Sequence, residues 1–265
     1  MEMAEALQAP ENHPELKLPL YIMQGFATFV GLIIAPAWFL YTENKSIKHF
    51  FVAQRAELIP VIITVVTVIV FMAVNSIFIE WNSTFHFPDA LKGFESWARE
   101  REDEATRLTT FLTQFDSTPE LAIAVVVIAM LPAVGEELVF RGMIQNNLFS
   151  ATKNIHISIW ISAILFSAIH LQFFGFVPRL LLGALFGYLY FWSGNLSLAM
   201  LAHFVNNGIS VIAMYFYQRG ALDLDVESTE AAPVNVIIFS VLATAGLLYY
   251  FYKYFETRKT RSHQL

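Results

Sequence analysis

Cysteine is absent from the 265 residues, which excludes disulfide cross-links, thiolate metal ligands and a cysteine nucleophile, and leaves the compartment undetermined by redox arguments. Charge is scarce: Asp, Glu, Lys and Arg together make up 14% of the chain, against about 25% in an ordinary soluble domain. No run of Lys and Arg tracks a nucleic-acid backbone, so nucleic acid is not an expected partner. The first eighteen residues are polar and acidic and lack the basic start of a cleavable signal, so the first hydrophobic segment is expected to direct insertion. No internal repeat, low-complexity run or soluble domain stands out. What fills the space is apolar: 56% of residues are hydrophobic and 15% aromatic. The net charge of −6 comes largely from the N-terminal tail and the stretch between Asp223 and Glu230. Lipid is the natural solvent of such a chain.

A hydrocarbon core of about 30 Å needs about twenty apolar residues in a helix. Stretches near or above that length run over residues 19–41, 59–81, 119–148, 155–174, 177–192, 196–217 and 233–254, predicting an all-α polytopic bundle of about seven spans. The fifth is short and carries Arg179. The third is long, and Pro132 in its middle predicts a kink or a division into membrane and interfacial parts. Seven spans place the termini on opposite sides. Lys45, Lys48, Arg55, Lys153, Lys253, Arg258, Lys259 and Arg261 fall on one side, so the N-terminus is expected outside and the C-terminus inside. A multi-pass protein of the plasma (cytoplasmic) membrane, if bacterial, is the expected localisation. Residues 1–118 form an N-terminal tail, two spans and an interfacial segment; 119–217 a four-helix core; 218–265 an acidic loop, the last span and a basic tail.

Between the second and third spans, Leu91, Phe94, Trp97, Ala98, Ala105, Leu108, Phe111, Leu112 and Phe115 recur at helical spacing among charges. This pattern predicts an amphipathic helix, either a solvated helix packed on the bundle or membrane surface, or a gate at the interface.

An ionised side chain at a helix centre costs about 2.5–3.5 kcal/mol on insertion scales, so the polar residues inside the spans need a reason. The third span contains Glu136, Glu137 and Arg141. Glu137 and Arg141 stand four apart on one helical face and suit an ion pair, while Glu136 points about 100° away. That geometry marks Glu137 and Arg141 as scaffold and Glu136 as the free reactive group. His170 ends the fourth span on the face of Phe166. His203 and Asn207 stand four apart on the sixth, with Asn206 beside them. Any one of these residues alone reads as interhelical polar glue. Their depths join them: measured from the common membrane face, Glu136 lies at about 18 Å, His170 at about 22 Å, and His203 and Asn207 at about 10 and 16 Å. A shared, water-containing cavity explains that coincidence better than unrelated contacts do.

Glu136-Glu137-x-x-x-Arg141, Phe166-x-x-x-His170 and His203-x-x-x-Asn207, in that order on membrane segments, resemble the CAAX-protease and bacteriocin-processing family of intramembrane endopeptidases, which includes the type II CAAX prenyl endopeptidases. The resemblance implies that Glu136 and His170 activate a water for attack on a peptide carbonyl. It implies that His203 and Asn207 stabilise the oxyanion, with Glu137 and Arg141 supporting the site. The implied partners are the lipid bilayer and a peptide or membrane-protein substrate, with or without a C-terminal prenyl group. Glu136, His170 and His203 are also a conceivable zinc ligand set. No His-Glu-x-x-His motif is present, so a mechanism without a cofactor is favoured and Zn2+ is the alternative. Competing functions are a proton-coupled transporter, for which an inverted repeat would speak and none is visible, and a noncatalytic scaffold or bacteriocin-immunity protein.

Overall fold

The computed structural model describes residues 10–51, 57–222, 226 and 228–262. Arg55 and most of the acidic stretch beginning at Asp223 lie outside them. The described residues form eight long helices and no strand. We label them α1 (Pro14–Thr42), α2 (Leu58–Ser83), α3 (Lys92–Leu112), α4 (Thr118–Thr152), α5 (Ile155–Ala168), α6 (Phe176–Ser193), α7 (Leu196–Gln218) and α8 (Val234–Ser262). All but α3 and α5 are long and apolar enough to cross a bilayer, and α5 is a shorter apolar helix. The chain is a multi-pass integral membrane protein.

The tight α4–α5 and α6–α7 turns use one device. A residue in the left-handed region closes the first helix, Lys153 at φ 54° and Gly194 at φ 64°, and an asparagine opens the next. Asn154 accepts from the backbone N–H groups of His156 and Ile157, and Asn195 from that of Ser197. These bonds supply partners for N–H groups that the first turn of a helix leaves unpaired. Only glycine adopts such a φ freely, and Lys153 does so at a cost.

Helices α4, α6 and α7 are the heart of the bundle: 44% of the apolar window of α4 and of α6 is buried, against 17% of those of α1 and α8. The outer helices instead present Ile22, Phe26, Trp38, Ile238, Phe239 and Leu242 outward, as lipid-facing surfaces do. The main apolar cluster joins Val68 of α2, Leu138 of α4, Phe186 and Leu189 of α6, Leu198 of α7 and Phe251 of α8. Two glycines let α4 and α5 press against α6. A Cβ at Gly183 would stand 3.1 Å from Ala163, Arg141 and Phe166, and one at Gly187 2.8 Å from Gln145. Arg141 Nη2 donates to the Gly183 carbonyl at 3.0 Å, and Gln145 Nε2 to that of Gly187 at 3.2 Å, so the two helices are laced one turn apart.

The third span is not divided at Pro132, one of the two outcomes the sequence allowed. Helix α4 runs unbroken through wide π-helical stretches at Val125–Met130 and Leu138–Gln145, with Pro132 entering just after the first. A proline has no N–H for the carbonyl four residues back. Here that carbonyl belongs to Ile128, and it accepts from Asn207 Nδ2 of α7 at 3.3 Å. The missing backbone bond thus becomes an interhelical one. The fourth span is corrected: its helix ends at Ala168 rather than near residue 174, and Leu171 at φ 54° turns the chain. His170 consequently sits in a turn.

Helix α3 lies against the bundle along one face. Ala98, Phe111 and Leu112 are buried, whereas Leu91, Phe94, Trp97 and Leu108 stay exposed. The Tyr21 hydroxyl donates to the Leu112 carbonyl, and Gln218 bonds both Thr113 O and Phe115 N. These ties fix the end of α3 to α1 and α7.

Candidate active site

Glu136, His170, His203 and Asn207 line a single cavity of ≈ 660 Å³, walled also by Phe166, Phe186, Arg179 and, from α3, Glu102 and Thr106. The cavity lies within the range of about 300–1,000 Å³ usual for ligand sites. Glu136 reaches it because α4 crosses α1 at the preceding residue. A Cβ on Gly135 would fall 2.7 Å from Leu32 Cβ, so only glycine permits this approach. The crossing sets the rotation of α4, directing Glu136 into the cavity while Glu137 is fully buried.

Glu137 and Arg141 form the ion pair expected from their spacing, with Arg141 Nη1 2.5 Å from Glu137 Oε1 and both side chains at 0% exposure. Arg141 lies over the Phe166 ring at 4.4 Å and over Phe186 at 5.5 Å, a desolvated cation between aromatic faces. A third member joins them that helical spacing alone does not indicate. His203 Nδ1 approaches Glu137 Oε1 at 2.8 Å, while its Nε2 lies 3.9 Å from Glu136 Oε2. The imidazole is stacked on Phe186 at 5.2 Å and meets Phe166 edge-on at 5.8 Å. His203 is therefore the bridge between the two neighbouring glutamates, and α7 is tied to α4 through it.

The hydrogen bonds fix the proton positions of both imidazoles. His170 Nδ1 lies 2.8 Å from the Phe166 carbonyl; a carbonyl only accepts, so Nδ1 carries the proton and Nε2 keeps its lone pair. The Glu137 carboxylate, ionised beside Arg141, likewise accepts from His203 Nδ1–H. Asn207 uses one amide N–H on Ile128 O, and its Oδ1 accepts from Asn206 Nδ2 at 3.1 Å. Its second N–H has no acceptor among the described residues.

Imidazole nitrogens and a carboxylate are suitable zinc ligands in kind, yet among the described residues no three His, Asp or Glu side chains converge to hold a metal ion.

Several cavity residues carry no motif that marks them in the sequence. Glu102 of α3 turns inward, accepting from the backbone N–H of Phe174 at 3.1 Å and from Gln172 Nε2 at 3.3 Å. Burial raises its carboxyl above the ordinary carboxylate value, outweighing these hydrogen bonds. Asn82 fastens the loop beyond His170, donating to Phe173 O at 3.2 Å and accepting from Val177 N at 2.9 Å. Asn75, only 4% exposed, also lines the cavity. Long sequence separation hides Glu102; its one visible signal is an acid on an otherwise apolar helical stripe with Ala98, Ala105 and Leu112.

A family model described as Type II CAAX prenyl endopeptidase Rce1-like matches residues 118–209, the stretch that carries Glu136, His170, His203 and Asn207. The membrane core is thus similar to the Rce1-like family. This Rce1-like stretch runs from the start of α4 into α7. The chain is also similar to the uncharacterized protein YpbD of Bacillus subtilis (strain 168), at 30% identity over 112 residues, which cover 40% of this chain and 54% of YpbD. The chain thus spans about half the length of that relative. No solved structure matches it.

Proposed function

We propose that the protein is an intramembrane endopeptidase whose water is activated by Glu136 and His170. The observation that carries this reading is the arrangement of Glu136, His170, His203 and Asn207 around one cavity, with both histidine Nδ1 atoms held by acceptors. A water held between the Glu136 carboxylate and His170 Nε2 attacks the peptide carbonyl. Glu136 takes its proton, and the C–N bond then breaks as that proton passes to the leaving amine. Asn207 donates its free N–H to the oxyanion. His203, its Nδ1–H held by Glu137, is the second group at the oxyanion.

The family description makes a C-terminally prenylated peptide the first substrate to test. For the membrane topology we retain N-terminus outside and C-terminus inside, on the Lys and Arg distribution.

Comparing the membrane peptides of cells carrying wild type or Glu136→Gln tests the assignment. Cleaved peptides are expected only with wild type, and purified Glu136→Gln and His170→Ala are expected to lose about 10²–10⁴-fold in turnover while remaining folded. Near-wild-type turnover in either variant would remove that residue from the mechanism.

A further inference from the structure

Arg179, in the first turn of α6, lines the same cavity as Glu136 and His170. Its position is electrostatically unfavourable, because a helix N-terminus carries partial positive charge and favours anions rather than cations. No described carboxylate lies within salt-bridge distance of it. Its only side-chain hydrogen bond among the described residues runs from Nη2 to the neutral amide oxygen of Gln172, at 2.8 Å, and Nη1 is buried without an acceptor. Gln172 bridges it to Glu102, to which it donates its Nε2. The guanidinium rests on Gly175, where an added Cβ would come within 3.0 Å of Nη2, so the backbone there is shaped to seat it.

Such a cation in the wall of a membrane cavity lacks the direct counter-ion that Arg141 has. We propose that Arg179 is a substrate-binding residue that takes the C-terminal carboxylate of the peptide, using the guanidinium edge now occupied by the Gln172 amide. A carboxylate forms charge-assisted, often bidentate bonds with arginine, roughly twice as strong as those of a neutral acceptor, and so displaces the amide. A cavity of ≈ 660 Å³ takes a short chain end more readily than a chain that enters and leaves. Arg179 then sets how far from the substrate terminus the scissile bond falls. This proposal rests on the peptidase reading above.

The test compares a fluorescent peptide ending in S-farnesylated Cys-Val-Ile-Met with its C-terminal amide, on purified wild type, Arg179→Gln and Arg179→Lys. Wild type is expected to favour the free acid by about tenfold or more in kcat/KM, the effect of ~1.4 kcal/mol. Arg179→Gln should bring the acid-to-amide ratio of kcat/KM close to one by losing rate mainly on the acid, and Arg179→Lys should restore part of the preference. Equal cleavage of acid and amide by wild type, or an equal loss on both in Arg179→Gln, overturns the proposal and leaves the peptidase reading standing. Affinity of Glu136→Gln for the two peptides separates the two ideas in the other direction. A tenfold preference for the acid without turnover in wild type keeps the anchor and refutes the peptidase. Equal binding, or binding of neither peptide, refutes the anchor.

Discussion

Two polar regions meet at His203, and they differ in almost everything except composition. On one side of the imidazole, Glu137 and Arg141 are sealed from solvent, paired with each other, roofed by aromatic rings and laced to the α6 backbone at Gly183. On the other side, Glu136, Nε2 of His203, His170 and Asn207 face an open cavity. Adjacent residues of one helix thus fall into opposite environments, because a rotation of about 100° carries the side chain from one to the other. The lesson is that an intramembrane charge is not in itself a reactive group. Satisfied charges hold helices in register, and those left facing a cavity are the ones available for chemistry.

Stability measurements in detergent should break the comparison most sharply if it is wrong. Removing one partner of the sealed pair leaves an uncompensated buried charge, so Glu137→Gln and Arg141→Met are each expected to destabilise by about 3–5 kcal/mol. The double variant should recover part of that loss, the more so because Glu137 Oε2 and Arg141 Nε have no partner among the described residues even in the intact pair. Glu136→Gln, one residue away, should change stability by less than about 1 kcal/mol. Strictly additive losses across the Glu137 and Arg141 cycle would show that the pair does not interact. A Glu136→Gln variant as unstable as Arg141→Met would erase the distinction between the regions.

The crossing of α4 over α1 should give a smaller effect and tests what sets the rotation separating the two regions. Gly135→Ala places a methyl against Leu32, and overpacking of this kind costs about 1–3 kcal/mol. Because the strain sits next to Glu136, activity should fall by more than the stability loss explains. Shortening the opposing side chain with Leu32→Ala should restore activity. Undiminished activity in Gly135→Ala would show that the crossing does not direct Glu136.

Much of this contrast is legible in the amino-acid sequence. The four-residue spacing of Glu137 and Arg141 and the offset of Glu136 follow from helical periodicity alone, and the helical bundle follows from the length of the apolar runs. The link between Pro132 and Asn207 is legible in principle, since a proline in a membrane helix leaves the carbonyl four residues back in need of a donor. The usual outcome of a mid-helix proline, a kink, masks it. His203 as a bridge is out of reach of the sequence: the side on which Nδ1 and Nε2 fall depends on how α7 is rotated against α4. Glu102 is harder still, being 34 positions from Glu136 on a helix whose apolar stripe suggests a purely surface role.

The smallest expected effect concerns that residue, and it extends the comparison to the cavity roof. Like Glu137, Glu102 is a partly or wholly desolvated carboxylate, but it has no arginine in direct contact. Its carboxyl is raised above the ordinary 4.5 by burial first, with Asp103 adding to the rise and Arg179 and the Phe174 N–H opposing it. A carboxyl with a higher pKa in the folded state binds more protons folded than unfolded between the two values, so stability falls as pH rises from about 4.5 through the folded-state value. The charged form above that range is the less stable one. Replacing it with a neutral isostere should therefore flatten the dependence: Glu102→Gln is expected to match wild type near pH 4.5 and to exceed it at pH 8. The gain should be no more than about 2–4 °C in Tm, the shift that ~1 kcal/mol brings to a chain of this size. Thermal unfolding of both proteins in detergent across that range would measure it. A Glu102→Gln variant less stable than wild type at pH 8 would mean that the bonds to Phe174 and Gln172 outweigh burial, and that α3 is held to the cavity by an ionised carboxylate, as α4 is held to α7 by Glu137.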